Sequence, residues 1–104
     1  MAKSKFVRIR EVKDYKPGDL AGEFAGEVIT VLDIKDLEDH IVDVAMGPEG
    51  LVQGEFFVSD AVIEKAGRDK IEIGDHIAFS HTKDNEPLLK GYEYPRIVRL
   101  RFLP

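Results

Sequence analysis

Residues 40–58 constrain this chain more than any other stretch, because they read as two strands joined by a tight turn. The turn is Gly47-Pro48-Glu49-Gly50. Pro48 presets φ at the second turn position, and Gly50 relieves crowding at the fourth. On both sides of the turn, residues alternate with the period of two that is typical of β-strands. The stretch therefore predicts a β-hairpin.

The alternation divides this hairpin into two faces. The face predicted to enter the core carries Val42, Val44, Val52 and Phe56. The same core is expected to contain Ile77 and Phe79 of a later strand. The other face carries Asp43, Gln53, Glu55 and Phe57. Polar side chains are expected on a solvated face, but such a face does not require an aromatic ring. Phe57 is therefore a candidate for contact with a ligand.

Length and composition set the broad class. A chain of 104 residues has room for one domain with one core. No apolar run approaches the roughly 18–20 residues that span a bilayer. The first residues lack the apolar segment of a secretory signal and cysteine is absent, so we expect a cytoplasmic protein. Gln53 and Asn85 are the only side-chain amides in a highly charged chain, which is typical of thermophile proteins.

The net charge of −5 is unevenly distributed along the chain. Residues 1–16 carry six basic and two acidic side chains, residues 17–76 carry four and fifteen, and residues 77–104 carry five and three. Both ends are therefore basic, whereas the middle is strongly acidic. This distribution argues against wrapping a polyanion around the whole surface.

The rest of the chain supplies further strands and one helix. Strands are predicted over residues 6–12, 23–34, 76–82 and 88–102, the last in two segments separated at Tyr94-Pro95. Ser59-Asp60 begins a short helix that runs to about Ala66 and ends at Gly67. We therefore expect a basic arm or strand over residues 1–16 and a domain over residues 17–104.

The order of these elements and four local motifs resemble a known family. The motifs are Lys16-Pro17-Gly18-Asp19, the Gly-bounded hairpin turn, the aromatic that ends the third strand, and Ile73-Gly74-Asp75. Over about residues 12–103 the chain is similar to archaeal single-stranded DNA-binding proteins and to the OB domains of replication protein A. Five strands with a helix between the third and fourth form the OB-fold, a small closed barrel. The expected fold class is therefore all-β with one short helix, a five-stranded OB-fold β-barrel.

The resemblance implies binding of single-stranded nucleic acid, with single-stranded DNA favoured over RNA and RNA left open, as in replication or repair. The implied site lies across the second and third strands and uses base stacking and phosphate contacts. Position by position, the resemblance places a stacking aromatic at Phe57, with His81 and Lys83 near the end of the fourth strand. The complete set of candidate nucleic-acid-binding residues is Lys35, Gln53, Phe57, His81, Lys83, Tyr92, Arg99 and Arg101.

Arginines form a second candidate feature at the two ends of the chain. Arg99 and Arg101 alternate with apolar residues in the last strand and should point outward. If the first and last strands are neighbours, Arg8 and Arg10 extend these into a positive strip. Such a strip suits phosphate or an acidic protein surface.

Two interpretations therefore remain open. The first is a nucleic-acid-binding module; the second is an OB-fold protein-interaction subunit of a larger complex, which the acidic middle of the chain favours. In the second, Phe57 packs beneath the helix or the arm. Enzymatic chemistry is not expected, because the histidines lack metal-ligand spacing and no nucleophile motif is present. No metal or cofactor is expected either.

Overall fold

The computed structural model describes residues 16–89 and 91–104. The strand predicted over residues 6–12, with Arg8 and Arg10, lies outside this part of the chain. The described residues form seven strands and one α-helix: β1 (Phe24–Ile34), β2 (Asp39–Met46), β3 (Val52–Ser59), α1 (Asp60–Lys65), β4 (His76–His81), β5 (Glu86–Leu89), β6 (Tyr92–Tyr94) and β7 (Ile97–Phe102).

Five of these strands form one antiparallel sheet in the order β3-β2-β1-β4-β7. β2 and β3 are joined by the predicted turn, in which the Gly50 N–H donates to the Gly47 carbonyl at 3.1 Å. In the resulting register Val42 lies opposite Phe56. The all-β class with one short helix is therefore confirmed.

The inner face of the sheet holds the main core. Buried residues of this core include the predicted Val42, Val44, Phe56, Ile77 and Phe79. Val52 was also expected there, but it is 57% exposed, so this part of the prediction is wrong. Val52 is the first residue of β3, directly after the hairpin turn, and the core does not extend that far.

The helix begins and ends where the sequence predicts. The Ser59 hydroxyl accepts a hydrogen bond from the Val62 N–H at 3.3 Å, which satisfies one free donor of the first turn. Ile63 on this helix is fully buried in the main core. Gly67 follows with φ of +94°, a left-handed conformation that glycine adopts without strain.

The end of the chain is more elaborate than predicted. The segment before Pro95 folds into a small hairpin of β5 and β6, and the chain turns between them at Gly91, which has φ of +87°. The break predicted at Tyr94-Pro95 is confirmed, since β7 begins just after it, at Ile97.

The sheet does not close into a continuous barrel. Within the described residues, its two outer strands, β3 and β7, are not paired in a ladder; an isolated parallel bridge joins Phe57 of β3 to Arg96, the residue before β7. There the Phe57 N–H donates to the Pro95 carbonyl at 2.9 Å. No helix in the described part of the chain is long and apolar enough to cross a membrane.

Candidate ligand-binding face

The face of β1, β2 and β3 that points away from the main core is the one to which the resemblance assigns a ligand. Cross-strand pairing arranges its side chains in rows. One row is apolar, and the next is polar and acidic. We call this surface the outer face; its two middle rows are Leu32, Ile41 and Phe57, followed by Thr30, Asp43 and Glu55.

Phe57 has no exposed surface, contrary to the expectation of an accessible stacking ring. It forms a second, smaller apolar cluster with Ile34 and Ile41, against which Leu37 and Tyr94 pack. The Tyr94 ring lies edge-on to it at 5.3 Å between centroids. The β5–β6 hairpin thus covers Phe57, and in this arrangement a nucleobase cannot reach the ring.

A buried ionic cluster lies next to this ring. The Arg96 guanidinium, 1% exposed, donates to both carboxylate oxygens of Asp39 at 3.0 and 2.6 Å, and to Glu86 at 3.0 and 2.9 Å. It also lies 5.4 Å from the centre of the Phe57 ring, within cation–π range. Burial alone would lower the pKa of Arg96, but hydrogen bonds to Asp39 and Glu86 outweigh burial and raise that pKa above its ordinary value. Because Glu86 lies on β5 and Asp39 on β2, this cluster attaches the β5–β6 hairpin to the five-stranded sheet.

The polar row of the outer face is negatively charged. Asp43 lies directly opposite Glu55, an arrangement of like charges that is unfavourable in a sheet. Among the residues that the structure describes, neither carboxylate forms an ion pair with Lys, Arg or His. Tyr94 reports this environment, because burial, hydrogen bonding to Glu55 and the negative charges of Glu55 and Asp43 raise its pKa above 10.0.

Two exposed hydrophobic side chains accompany this acidic row. Leu32, on the outer face of β1, is 54% exposed, and Tyr92, on the β5–β6 hairpin, is 42% exposed. Tyr92 lies 6.4 Å from the Tyr94 ring. Gln53 is exposed on the outer face of β3, as predicted. Of the predicted site residues, Gln53 and Phe57 are thus on this face, and Tyr92 is on the hairpin that covers part of it.

The other predicted site residues are dispersed. Lys35 is exposed in the short turn between β1 and β2. Lys83 is exposed in the loop after β4, where its N–H donates to the Asp19 carbonyl. His81 is on the core side of β4, stacked on Phe24 at 5.2 Å, and its Nδ1–H donates to the Thr82 carbonyl. These three residues do not form a single basic surface with the outer face.

Arg99 and Arg101 are exposed on β7, as their alternation predicts. They differ in their partners. Arg101 donates to the Glu23 carboxylate at 2.9 Å, whereas Arg99 has no ion pair among the described residues. Among the described residues, neither arginine forms an ion pair with Asp43 or Glu55 of the outer face.

One further polar cluster was missed from the sequence. The two ring nitrogens of His40 lie 2.6 Å from an Asp33 oxygen and 2.5 Å from an Asp60 oxygen. This histidine thereby connects β1, β2 and the first residue of α1. Across the described residues, no group of three or more His, Cys, Asp or Glu side chains is arranged to hold a metal ion.

Comparisons of this chain with protein-family models, with curated proteins and with solved structures find no match.

Proposed function

We propose that this chain is a binding module built on an OB-type barrel and that it acts by holding a macromolecular partner, not by catalysis. Three features support an OB-type plan: the helix between the third and fourth strands, the antiparallel order of the sheet, and the bridge from Phe57 to Arg96. Contact between the two outer strands is the step that turns a sheet into a barrel.

The partner that the outer face fits best is a basic segment of another protein. The observation that carries this proposal is the pair of opposed carboxylates of Asp43 and Glu55, neither of which forms an ion pair with another described residue. A lysine or arginine placed between them would remove their mutual repulsion and form charge-assisted hydrogen bonds with both. Exposed Leu32 and Tyr92 provide hydrophobic contact beside the charges.

Burial of Phe57 weighs against base stacking on this surface. Binding of single strands without sequence preference combines a positive groove with accessible aromatic rings. Here the implied stacking ring is covered by Tyr94, and the adjacent charges are negative. A phosphate backbone on this row would be repelled.

Single-stranded nucleic acid is the second candidate, and one observation favours it. Tyr92 is accessible on the β5–β6 hairpin and could stack a base, with Gln53 exposed on the neighbouring strand. Phosphate contacts would then come from Lys35 or Lys83 at the margins.

Fluorescence anisotropy separates the two candidates. Labelled oligo-dT is titrated with the full chain at low and at moderate salt. The protein-partner proposal expects no saturable binding at either salt concentration. Tight binding that weakens steeply with salt and depends on Tyr92 would favour nucleic acid instead.

The protein-partner proposal also has a direct test. The tagged full chain is used to capture partners from extract of its source cells, in parallel with Asp43→Lys/Glu55→Lys and with the control Glu64→Lys, which changes an exposed carboxylate on α1. A partner retained by wild type and control but lost with the double variant supports the proposal. Equal retention by all three proteins would show that the outer face is not the binding surface.

A further inference from the structure

A small groove separates α1 from β7. It encloses about 200 Å³ and is lined by Val62, Lys65, Ala66, Val98, Arg99 and Leu100. Four of the six lining residues are aliphatic and half-buried, and the two others are exposed cations. None of them belongs to the outer face. The groove is therefore a separate surface with its own chemistry.

The two cations of the groove are available to a ligand. Neither Lys65 nor Arg99 forms an ion pair with another described residue. The contrast with Arg101 is informative, because that residue, two positions along the same strand, is already neutralised by Glu23. In a chain with net charge −5, two cations that line one groove and have no ion pair with a described acidic residue are a local exception.

We propose that this groove docks an acidic segment of a partner protein, with one aliphatic side chain of that segment in the groove and flanking carboxylates on Lys65 and Arg99. Its volume is below the range of about 300–1,000 Å³ that is usual for small-molecule sites, but it can accept part of one side chain. Charge complementarity sets the sign of the partner, because an arginine fork binds a carboxylate with two parallel hydrogen bonds.

The lining favours a peptide over a nucleic acid. Single-strand binding gains much of its energy from stacking of bases on aromatic rings. No aromatic residue of the described part of the chain lines the groove; its apolar surface comes from Val62, Ala66, Val98 and Leu100. Aliphatic walls match an aliphatic side chain and offer no stacking surface to a base.

The test uses the full chain and a short fluorescein-labelled peptide with a central leucine flanked on both sides by aspartates. We expect saturable binding that Arg99→Glu and Lys65→Glu each weaken by at least about fivefold. Arg101→Glu is the matched control, since Arg101 is on the same strand but outside the groove, and its affinity should remain within about twofold of wild type. A peptide with serine in place of leucine should bind about tenfold more weakly.

Four results would overturn the proposal: no saturable binding of the peptide, affinities that Arg99→Glu and Lys65→Glu leave unchanged, an equal loss with Arg101→Glu, or displacement of the peptide by oligo-dT. Circular dichroism melting of each variant verifies that the fold is retained. The double variant Asp43→Lys/Glu55→Lys should bind the peptide as wild type does. Failure of the groove is thereby distinguished from failure of the outer face.

Discussion

The two sides of the β2–β3 hairpin are buried by different means. On the inner side, Val44 and Phe56 pack in an apolar core, and the one polar ring against Phe56 among the described residues is that of His81. On the outer side, Phe57 is equally buried, but next to it lie a guanidinium and the two carboxylates that accept its hydrogen bonds. One side is stabilised by non-directional apolar packing. The other depends in addition on directional hydrogen bonds.

This difference determines what each side tolerates. Apolar cores accept substitutions that keep volume and shape, because the interactions lost are mostly those of the removed atoms. A buried ionic cluster tolerates fewer substitutions. Removal of its cation takes away the opposite charge that offsets the desolvation of the buried carboxylates, although the intact cluster itself contributes little net stability. The outer side should therefore be the more sensitive of the two to a single substitution.

Substitution of Arg96 gives the largest expected effect. Arg96→Ala removes the cation to which the buried carboxylates of Asp39 and Glu86 are hydrogen-bonded, so we expect a loss of about 5 kcal/mol in the free energy of unfolding. Such a loss is comparable with the whole stability of many small domains. Urea unfolding followed by circular dichroism measures it.

Arg101→Ala is the matched control, because it breaks the exposed ion pair with Glu23. We expect a loss below about 1 kcal/mol, as for other surface pairs. Similar losses for the two variants would contradict the distinction between a buried and an exposed cluster. Arg96→Lys keeps the charge without the planar fork, and its stability should fall between wild type and Arg96→Ala.

Substitution of Phe57 gives the next largest effect. Phe57→Ala removes a fully buried ring from the outer cluster, so we expect a loss of about 3–4 kcal/mol and a melting temperature lower by many degrees. Phe56→Ala, on the inner side, is the comparison and should lose a similar amount. A Phe57→Ala protein with wild-type melting temperature would show that the ring is accessible after all, and would restore base stacking as a function.

Sequence reasoning predicted the inner side well and its edge poorly. Alternation identified Val42, Val44 and Phe56, because a period of two is a local property of the chain. The alternation failed to predict the exposure of Val52, which occupies a core position in the alternating pattern but lies at the first position of β3. Parity determines which face a side chain points to, whereas burial depends on what lies above that face.

The outer side could not be predicted in the same way. Arg96 and Asp39 are 57 positions apart, and no local sequence pattern predicts their contact. Phe57 is covered by the β5–β6 hairpin, whereas the sequence pattern predicts a single strand segment before Pro95. Of the candidate site residues, Gln53 was correctly assigned to the outer face, because its position follows from β3 alone. The basic candidates come from separate loops and strands, whose packing the sequence does not reveal.

The smallest expected effect concerns the hydroxyl of Tyr94 at the border of the outer cluster. The pKa of Tyr94 is raised above 10.0 by burial, hydrogen bonding to Glu55 and nearby negative charge. A raised pKa means that the folded state holds this proton more tightly than the unfolded state does. The resulting contribution to stability is complete below about pH 10 and is lost as pH rises through the folded pKa.

Tyr94→Phe abolishes this dependence, because phenylalanine has no proton to release. We expect the variant to be less stable than wild type by under about 1 kcal/mol at neutral pH, through loss of a partly exposed hydrogen bond. In urea unfolding between about pH 9 and pH 11, the difference should shrink as the pH rises. Lysine deprotonation affects both proteins equally and cancels in the difference. A difference between wild type and Tyr94→Phe that grows with pH would mean that the carboxylates of the outer face do not act on this ring, and would remove the electrostatic basis for a basic partner there.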